Sequence, residues 1–316
     1  MTPELTTGHT RRAPEHPWQQ PVDVLHDVFV PPLGRNGIWA IGLRFGDPEG
    51  ISEAAAELDA LGYSSLWVPD SGGDLNGTLE RLLDATSSLT VASGVLNLWM
   101  HDAAETALFV DGAARRFGDR LLIGIGVSHA SRIDQIEPGL YRRPLAAMAS
   151  YLDQLDDARP PLLSDRRVLA ALGPKMLSLA RDRSAGVHTY NVTPEHTAIA
   201  RAAVGPDRLV IPEQAVVLST NPEMARELGR THLSHYLSMS NYTDNFLRLG
   251  FGERDLLDGG SNQLIDALVA WGDVDAIARR VEEHHEAGAD HVCVQVLSGD
   301  KLLPMEAWRE LAPALC

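Results

Sequence analysis

Apolar residues along this chain recur in two alternating periods. Short, nearly continuous apolar runs are each followed by a segment whose apolar positions fall three and four apart. "GIWAIGLRF" from Gly37 is the first run. In "PEGISEAAAELDALGY", which follows from Pro48, Ile51, Ala55, Leu58 and Leu61 share one helical face, and Gly62 stands where a helix-ending glycine belongs. The pattern repeats as "SSLWVPD" with "GTLERLLDATSS", and as "LTVASGVLN" with "DAAETALFVDGAARRF". "RLLIGIG" is followed, after a loop, by "RPLAAMASYLDQLDDA", and "RRVLAAL" by "PKMLSLARDRS". "GVHTYN" precedes "TPEHTAIARAAV", where Thr193 suits an N-cap and Pro194 the first helical position. "RLVIPEQAVVLS" leads to "NPEMARELGRTHLSHYL", and "DVDAIARRVEEHHEAGAD" with "HVCVQVL" gives a last helix and strand.

Runs that are apolar at consecutive positions are strands covered on both faces, as a parallel sheet wrapped by helices requires. Eight strands separated by helices predict the α/β class and a closed (β/α)8 TIM barrel. Residues 37–316 form that barrel domain, preceded by a polar, proline-containing extension over residues 1–36 that is mobile to about Asp27. Residues 241–272 exceed the eight units and read as an insertion between strands 7 and 8, flanked or filled by Tyr236, Tyr242, Phe246 and Phe251. Those aromatic residues suit a subunit interface or a substrate lid. A doubly wound dinucleotide fold would need Gly-x-Gly-x-x-Gly at its first strand-to-helix turn. Here "GIGVSH" puts His129 at the third glycine, lies on the fourth strand and runs into a loop.

Composition narrows the partners. The 316 residues, 44% hydrophobic and 22% charged, suffice for one such barrel. A net charge of −16 argues against nucleic acid or an anionic membrane as partner, and no apolar run reaches the roughly 20 residues of a membrane span. The N-terminal stretch lacks the apolar segment of a signal peptide, so a cytoplasmic location is expected. Two cysteines, Cys293 and Cys316, make neither a disulfide framework nor a thiolate metal site. Lysine occurs only at Lys175 and Lys301 while arginine is plentiful, a coding bias that makes each lysine worth placing.

In a barrel of this kind chemistry sits in the loops after the strands. Those loops offer Asp70 and Ser71 after strand two, Asn97 at the end of strand three, and Ser128 and His129 after strand four. "ALGPK" follows strand five, Tyr190 and Asn191 follow strand six, and "VLSTNP" follows strand seven. No His-x-His on the first strand supports a metal hydrolase, and no metal site is expected. His284 and His285 are adjacent on a helix, point apart, and are expected to face solvent. Lys175 lies beyond a Gly-Pro rather than inside the barrel, which disfavours a Schiff-base aldolase, and no Gly-x-Ser-x-Gly elbow is present. "ALGPKM" ends a strand and opens a helix on Pro174, leaving free N–H groups and a positive dipole end suited to a phosphate, or simply an ordinary helix start.

These residues also resemble a known family. "GYSSLWVPD", "GVLNLWMHDAAETALFVDGAARRFGDRLLIGIGVSH", "RVLAALGPKMLSLARDRSAG" and "AWGDVDAIARRVEEHHEAGADHVCVQVL" are similar to the successive units of the luciferase-like monooxygenase superfamily, from Gly37 to the C-terminus. "RPLAAMASYLDQL" and "TPEHTAIAR" most resemble its branch of oxidoreductases that depend on the deazaflavin coenzyme F-420 (F420), common in high-GC actinobacteria. The resemblance implies a homodimer and a small-molecule substrate. It implies a deazaflavin, or FMN in its place, lying across the mouth with its phosphate on Ala171, Leu172, Gly173, Pro174 and Lys175. It further implies a non-prolyl cis peptide at Gly94–Val95 beneath the ring, with Asn97 able to reach the ring edge.

Two positions depart from the branch. Asp70 keeps its acidic residue after strand two, but Ser71 stands where a histidine is expected. His129 stands where a glutamate is expected after strand four. His129 is therefore the candidate for proton transfer, its ordinary pKa near 6.5 suiting exchange at neutral pH, with Ser128 beside it to hold the ring or touch the cofactor. Against this, His129 could merely cap a loop and Asp70 could brace loop N–H groups. His101 and Trp99 are expected to pack beside the pocket, and His188 to be a satisfied core histidine. Three functions follow from the resemblance: F420-dependent hydride transfer, an FMN monooxygenase needing oxygen and a reductase partner, or a non-catalytic cofactor-binding protein.

Overall fold

The protein is described by a computed structural model covering residues 33–299 and 303–316. Nine parallel strands run in chain order: β1 (Asn36–Trp39), β2 (Ser65–Val68), β3 (Thr90–Asn97), β4 (Leu121–Gly126), β5 (Arg167–Ala170), β6 (Gly186–Thr189), β7 (Leu209–Leu218), β8 (Val269–Gly272) and β9 (Val292–Val296). β1 to β6 pair in sequence, β6 pairs with β7, β7 with β9, and β9 with β1. Eight of the strands thus close the expected barrel. β8 is additional and lies at the end of the 241–272 insertion. β6 occupies one edge of β7 only as far as Pro212, and β8 takes over that edge from Ala215 to Leu218.

Most of the remaining chain agrees with its hydrophobic period. Asp47 accepts the Gly50 N–H at the start of the first long helix, and Gly62 follows its end in the left-handed region at φ 95°. Thr193 holds the N-cap position ahead of Pro194 but makes no side-chain cap bond. Among the described residues four α-helices are additional to the pattern, two of them, Ser240–Arg248 and Asn262–Leu268, within the insertion. Ala130–Ile136 interrupts the loop after β4, and Met305–Leu315 completes the eighth unit, its Trp308 carbonyl accepting from the Tyr63 hydroxyl at 2.8 Å. Residues 1–32, most of the expected extension, lie outside the described residues, and Asn36 already belongs to β1. Among the described residues no helix is long and apolar enough to cross a membrane.

Three apolar clusters stack from the axis outward. Trp39, Trp67, Ala92, Leu122, Val168, Ile211 and Cys293 fill the barrel, and a large aliphatic layer joins sheet to helices. The third cluster roots the insertion: Tyr242, Phe246, Leu264, Ile265 and Leu268 pack on Ala215 and Val217 of β7. Tyr242 and Phe246 are therefore interior side chains of this layer, with Tyr236 and Phe251 packed against it, rather than a detached lid.

The expectation for His284 is corrected. It is fully buried between the helix Pro194–Val204 and β7, with Thr197 Oγ1 2.8 Å from Nδ1 and Gln214 Oε1 2.9 Å from Nε2. Burial pushes its pKa down to about 3, so it is a neutral hydrogen-bonding wedge. His285, half-buried, reaches Asn36 Oδ1 at 3.0 Å. Neither side chain faces free solvent as adjacency alone suggested.

The feature that shapes the mouth is a bulge in β3. Ser93 pairs with Ile123 but Leu96 with Ile125, so β3 carries one extra residue, and the Gly94–Val95 peptide there is cis, as the resemblance implied. The Gly94 carbonyl accepts from Trp39 Nε1 at 3.0 Å, and the Ser93 hydroxyl donates to the Gly124 carbonyl at 2.9 Å. The bulge presses into β4 where that strand has no side chains. A Cβ on Gly124 would collide with the Ser93 carbonyl oxygen and lie 2.9 Å from Val95 Cγ1. One on Gly126 would lie 2.5 Å from Val95 Cγ2. The Gly-x-Gly of "LLIGIG" is a seat for the neighbouring strand. Gly124→Ala should therefore cost roughly 1–3 kcal/mol of stability by overpacking, read as a lower denaturation midpoint. An unchanged midpoint contradicts this account of the glycines.

Candidate active site

The strand ends bring most of the candidate residues to one rim. Asp70 leaves β2 with its side chain only 5% exposed, and Oδ2 accepts from the Asn97 N–H at 3.0 Å and contacts His101 Nε2 at 2.9 Å. Burial alone would raise this carboxyl. The hydrogen bonds from His101, Asn97 and the Gly72 N–H outweigh it and hold the pKa below the usual carboxylate range. Asp70 thus braces the ends of β2 and β3. His101, expected to pack beside Trp99, is its polar partner instead. Arg44, beyond β1, pins the following glycine-rich loop by donating to the carbonyls of Gly72 and Asp74 and to Thr78 Oγ1. Ser71 lies half-buried at the start of that loop.

Across the bulge, Asn97 uses its side-chain oxygen to accept the Trp99 N–H at 3.2 Å, and Trp99 Nε1 donates to the Val127 carbonyl at 2.7 Å. The amide is therefore engaged in shaping its own loop. Val127 leads into Ser128, whose φ of 56° turns the chain through the left-handed region. His129 occupies the N-cap position of the next helix but caps nothing with its side chain. Its Nδ1 lies 3.1 Å from Asn241 Oδ1 on the insertion, and its ring centroid is 5.6 Å from that of Tyr242. A proton on Nδ1 donated to the Asn241 carbonyl oxygen leaves Nε2 as a lone-pair acceptor. Burial, opposed by the Asn241 bond and assisted by the charges of His235 and Arg132, lowers the pKa, so the ring is a neutral base at neutral pH.

After β5, Ala171 is buried, Leu172 and Gly173 are partly exposed, and Pro174 and Lys175 are exposed. Gly173 is the N-cap of Pro174–Arg183 without a side-chain cap, and the first turn holds no acidic residue. Free N–H groups at a helix start with no internal carboxylate suit an anion.

Beneath the rim lies a cluster of polar side chains, of which Glu213 and Gln295 were not singled out by the strand pattern. Glu213 on β7 is 1% exposed inside the barrel. Oε2 accepts the Asn191 N–H at 3.1 Å, while Oε1 has no partner among the described residues. The Tyr190 hydroxyl donates to Gln295 Oε1 at 2.8 Å and accepts from the Tyr236 hydroxyl at 3.1 Å. His188 stacks on Trp67 with centroids 4.7 Å apart and bonds the Ile211 carbonyl through Nδ1, but its Nε2 is unpartnered, so it is only half satisfied. An acidic residue in the middle of the strand run "RLVIPEQAVVLS" was the available signal for Glu213. Among the described residues no group of three His, Cys, Asp or Glu side chains could hold a metal.

A closed parallel barrel with its polar groups gathered at the carboxyl ends of the strands belongs to the (β/α)8 class. The chain belongs to the luciferase-like monooxygenase family, whose model matches residues 28–291. No curated protein matches it in sequence. Its structure is similar to an F420-dependent secondary alcohol dehydrogenase in complex with an F420–acetone adduct, at TM-score 0.70 and 14% identity over 90% of this chain and 99% of that one. It is similar to a coenzyme F420-dependent tetrahydromethanopterin reductase from Methanopyrus kandleri, at TM-score 0.67 and 15% identity with the same coverages, 90% and 99%. It is also similar to the oxygenating constituent of 3,6-diketocamphane monooxygenase from Pseudomonas putida in complex with FMN, at TM-score 0.61 and 12% identity, again over 90% and 99%. At these identities the likeness establishes the fold.

Glu213 gives the site a pH signature. Burial raises its pKa to about 8, against 4.5 for an exposed glutamate, so the folded protein holds a proton that the unfolded chain has released. Between those values the wild type loses stability as pH rises, in total on the order of a few kcal/mol. Glu213→Gln cannot ionise, so its melting temperature relative to wild type should climb from about pH 5 to about pH 8. A difference independent of pH contradicts the assignment.

Proposed function

We propose that the chain is an oxidoreductase that transfers a hydride between coenzyme F420 and a small organic substrate, acting as a homodimer. The observation that supports this best is the pairing, on one rim, of the β3 bulge seated on Gly124 and Gly126 with the uncapped glycine turn at Gly173. The first offers a bed at Gly94 and Val95, and the second is an anion seat. A tricyclic ring carrying a phosphate tail fits both. When bound, the deazaflavin supplies a hydride-carrying carbon at C5 that does not readily form an oxygen adduct.

The chain's own groups divide the remaining work. Val95, part-exposed at the bulge, and Gly94 form the bed, and Asp70 keeps it aligned by gripping the Asn97 N–H. Asn97 and Ser128 flank the ring position from β3 and β4, while Ser71 borders it from the loop after β2. The backbone from Ala171 to Lys175 receives the phosphate. His129, neutral and oriented by Asn241, takes a proton at Nε2 from a substrate hydroxyl as hydride leaves, or returns it in the opposite direction. Trp99 and Tyr141, with ring centroids 6.0 Å apart, wall the same side of the mouth.

Parallel fluorescence titrations with F420 and with FMN test the cofactor. Selective binding of F420 supports hydride transfer. Preference for FMN moves the reading to an oxygen-using monooxygenase with a reductase partner, and binding of neither refutes the proposal. Turnover of reduced F420 against a panel of ketones and enones should fall by about 100-fold or more in His129→Ala with binding retained. Unchanged turnover removes His129 from the proton-transfer role. Binding without turnover of any panel member in wild type would instead favour a cofactor-binding protein.

A further inference from the structure

The insertion carries a cation, Arg248, with no carboxylate partner among the described residues. In a chain with 43 acidic residues, arginines such as Arg167, Arg201 and Arg226 each sit on an aspartate. Arg248, exposed at the end of the helix Ser240–Arg248, has no such partner among the described residues. Its protein contact is Asn245, whose Oδ1 accepts from Nη2 at 3.3 Å. Two further observations place the guanidinium over the turn after β5. The position a Cβ would take on Gly173 is 3.9 Å from Arg248 Nη2. His196, whose Nε2 is 3.0 Å from the Leu172 carbonyl, has its pKa lowered by burial first and by the charge of Arg248 after it.

Asn245 adds an independent sign. It is 2% exposed, and its Nδ2 has no hydrogen-bond partner among the described residues. Asn245 stands three residues before Arg248 on the same helix, and with its oxygen accepting from the guanidinium that faces Gly173, the other end of the amide is left a buried donor. Buried donors without acceptors are rare because they forfeit their hydration without return. A guanidinium lies over the open N–H groups of a helix start whose first turn holds no acid, with an unpaired amide donor one turn back on the guanidinium's own helix. That set matches a phosphoryl group, whose oxygens accept from all three.

We propose that Arg248 and Asn245 complete the phosphate seat begun by Gly173, so that the insertion clasps the phosphate of the bound cofactor from the side opposite the barrel. This rests on the reading of the β5 turn as a cofactor phosphate site, and deepens it. The insertion, rooted on β7 through Tyr242 and Phe246, then ties cofactor binding to its own position over the mouth.

The test pairs ligands that differ only in the phosphate-bearing tail. The full chain is titrated with FMN and riboflavin, and with F420 and its phosphate-free deazariboflavin chromophore, by fluorescence. Wild type should prefer the phosphorylated member of each pair that it binds. Arg248→Gln should weaken that member by about 10- to 100-fold, the range of a charge-assisted hydrogen bond, and leave the phosphate-free ring within about twofold. Arg248→Lys should recover part of the loss, and Asn245→Asp, which places a competing carboxylate on Arg248, should lose at least as much. Because Arg248 is exposed, its glutamine variant should melt with wild type, which keeps the comparison one of binding. Equal weakening of both members, or of neither, overturns the clasp while the β5 reading stands. A wild type with no preference for the phosphorylated member refutes the β5 reading and the clasp with it.

Discussion

The contact between the β3 bulge and the side-chain-free stretch of β4 is the constraint on which the rest of the mouth depends. One extra residue in β3 has to go somewhere, and a parallel barrel offers no slack sideways because each strand is flanked on both edges. It goes into the space left by Gly124 and Gly126, with Trp39 holding the Gly94 carbonyl from within the barrel. The Asn97 N–H at the end of the displaced strand is thereby presented to Asp70, and Asn97 in turn turns the loop that carries Trp99 and His101. Four strand ends are locked in one arrangement by a single packing solution.

The second half of the rim is organised by burial of polar groups. Glu213, His188 and Asn191 sit inside or at the top of the barrel with atoms unsatisfied by protein, roofed by the Tyr190–Gln295 bond that crosses β7. Such groups are expensive in a core, and those under the mouth mark where stability yields to function. The insertion then closes over them, anchored by an apolar layer on β7 and reaching His129 through Asn241 and Gly173 through Arg248.

Much of this was legible in the sequence because the barrel writes a strong code. Doubly covered strands must be apolar throughout, and helices on them must be apolar on one face, so the (β/α)8 order follows from period alone. β8 was hidden because "VAWG" continues the apolar run of the helix Asn262–Leu268 without a break and adds to an edge that only the length of β7 exposes. His284 was misplaced because the argument from adjacency treats a helix as having one buried face, whereas this helix packs on both β7 and its neighbour. The polar pairings were the least legible. Asp70 meets His101, and Arg248 meets the Gly173 turn, through loop geometry that no local period encodes.

A crystal structure of the chain with F420 bound tests the central claim most directly, that the bulge is a bed for a flat ring and the β5 turn a seat for its phosphate. The account expects the tricyclic ring against Gly94 and Val95, with His129 Nε2 facing the open side of C5 and the phosphate on the Gly173 turn. A ring bound away from the bulge, or a phosphate held elsewhere with the Gly173 turn facing solvent, would contradict it.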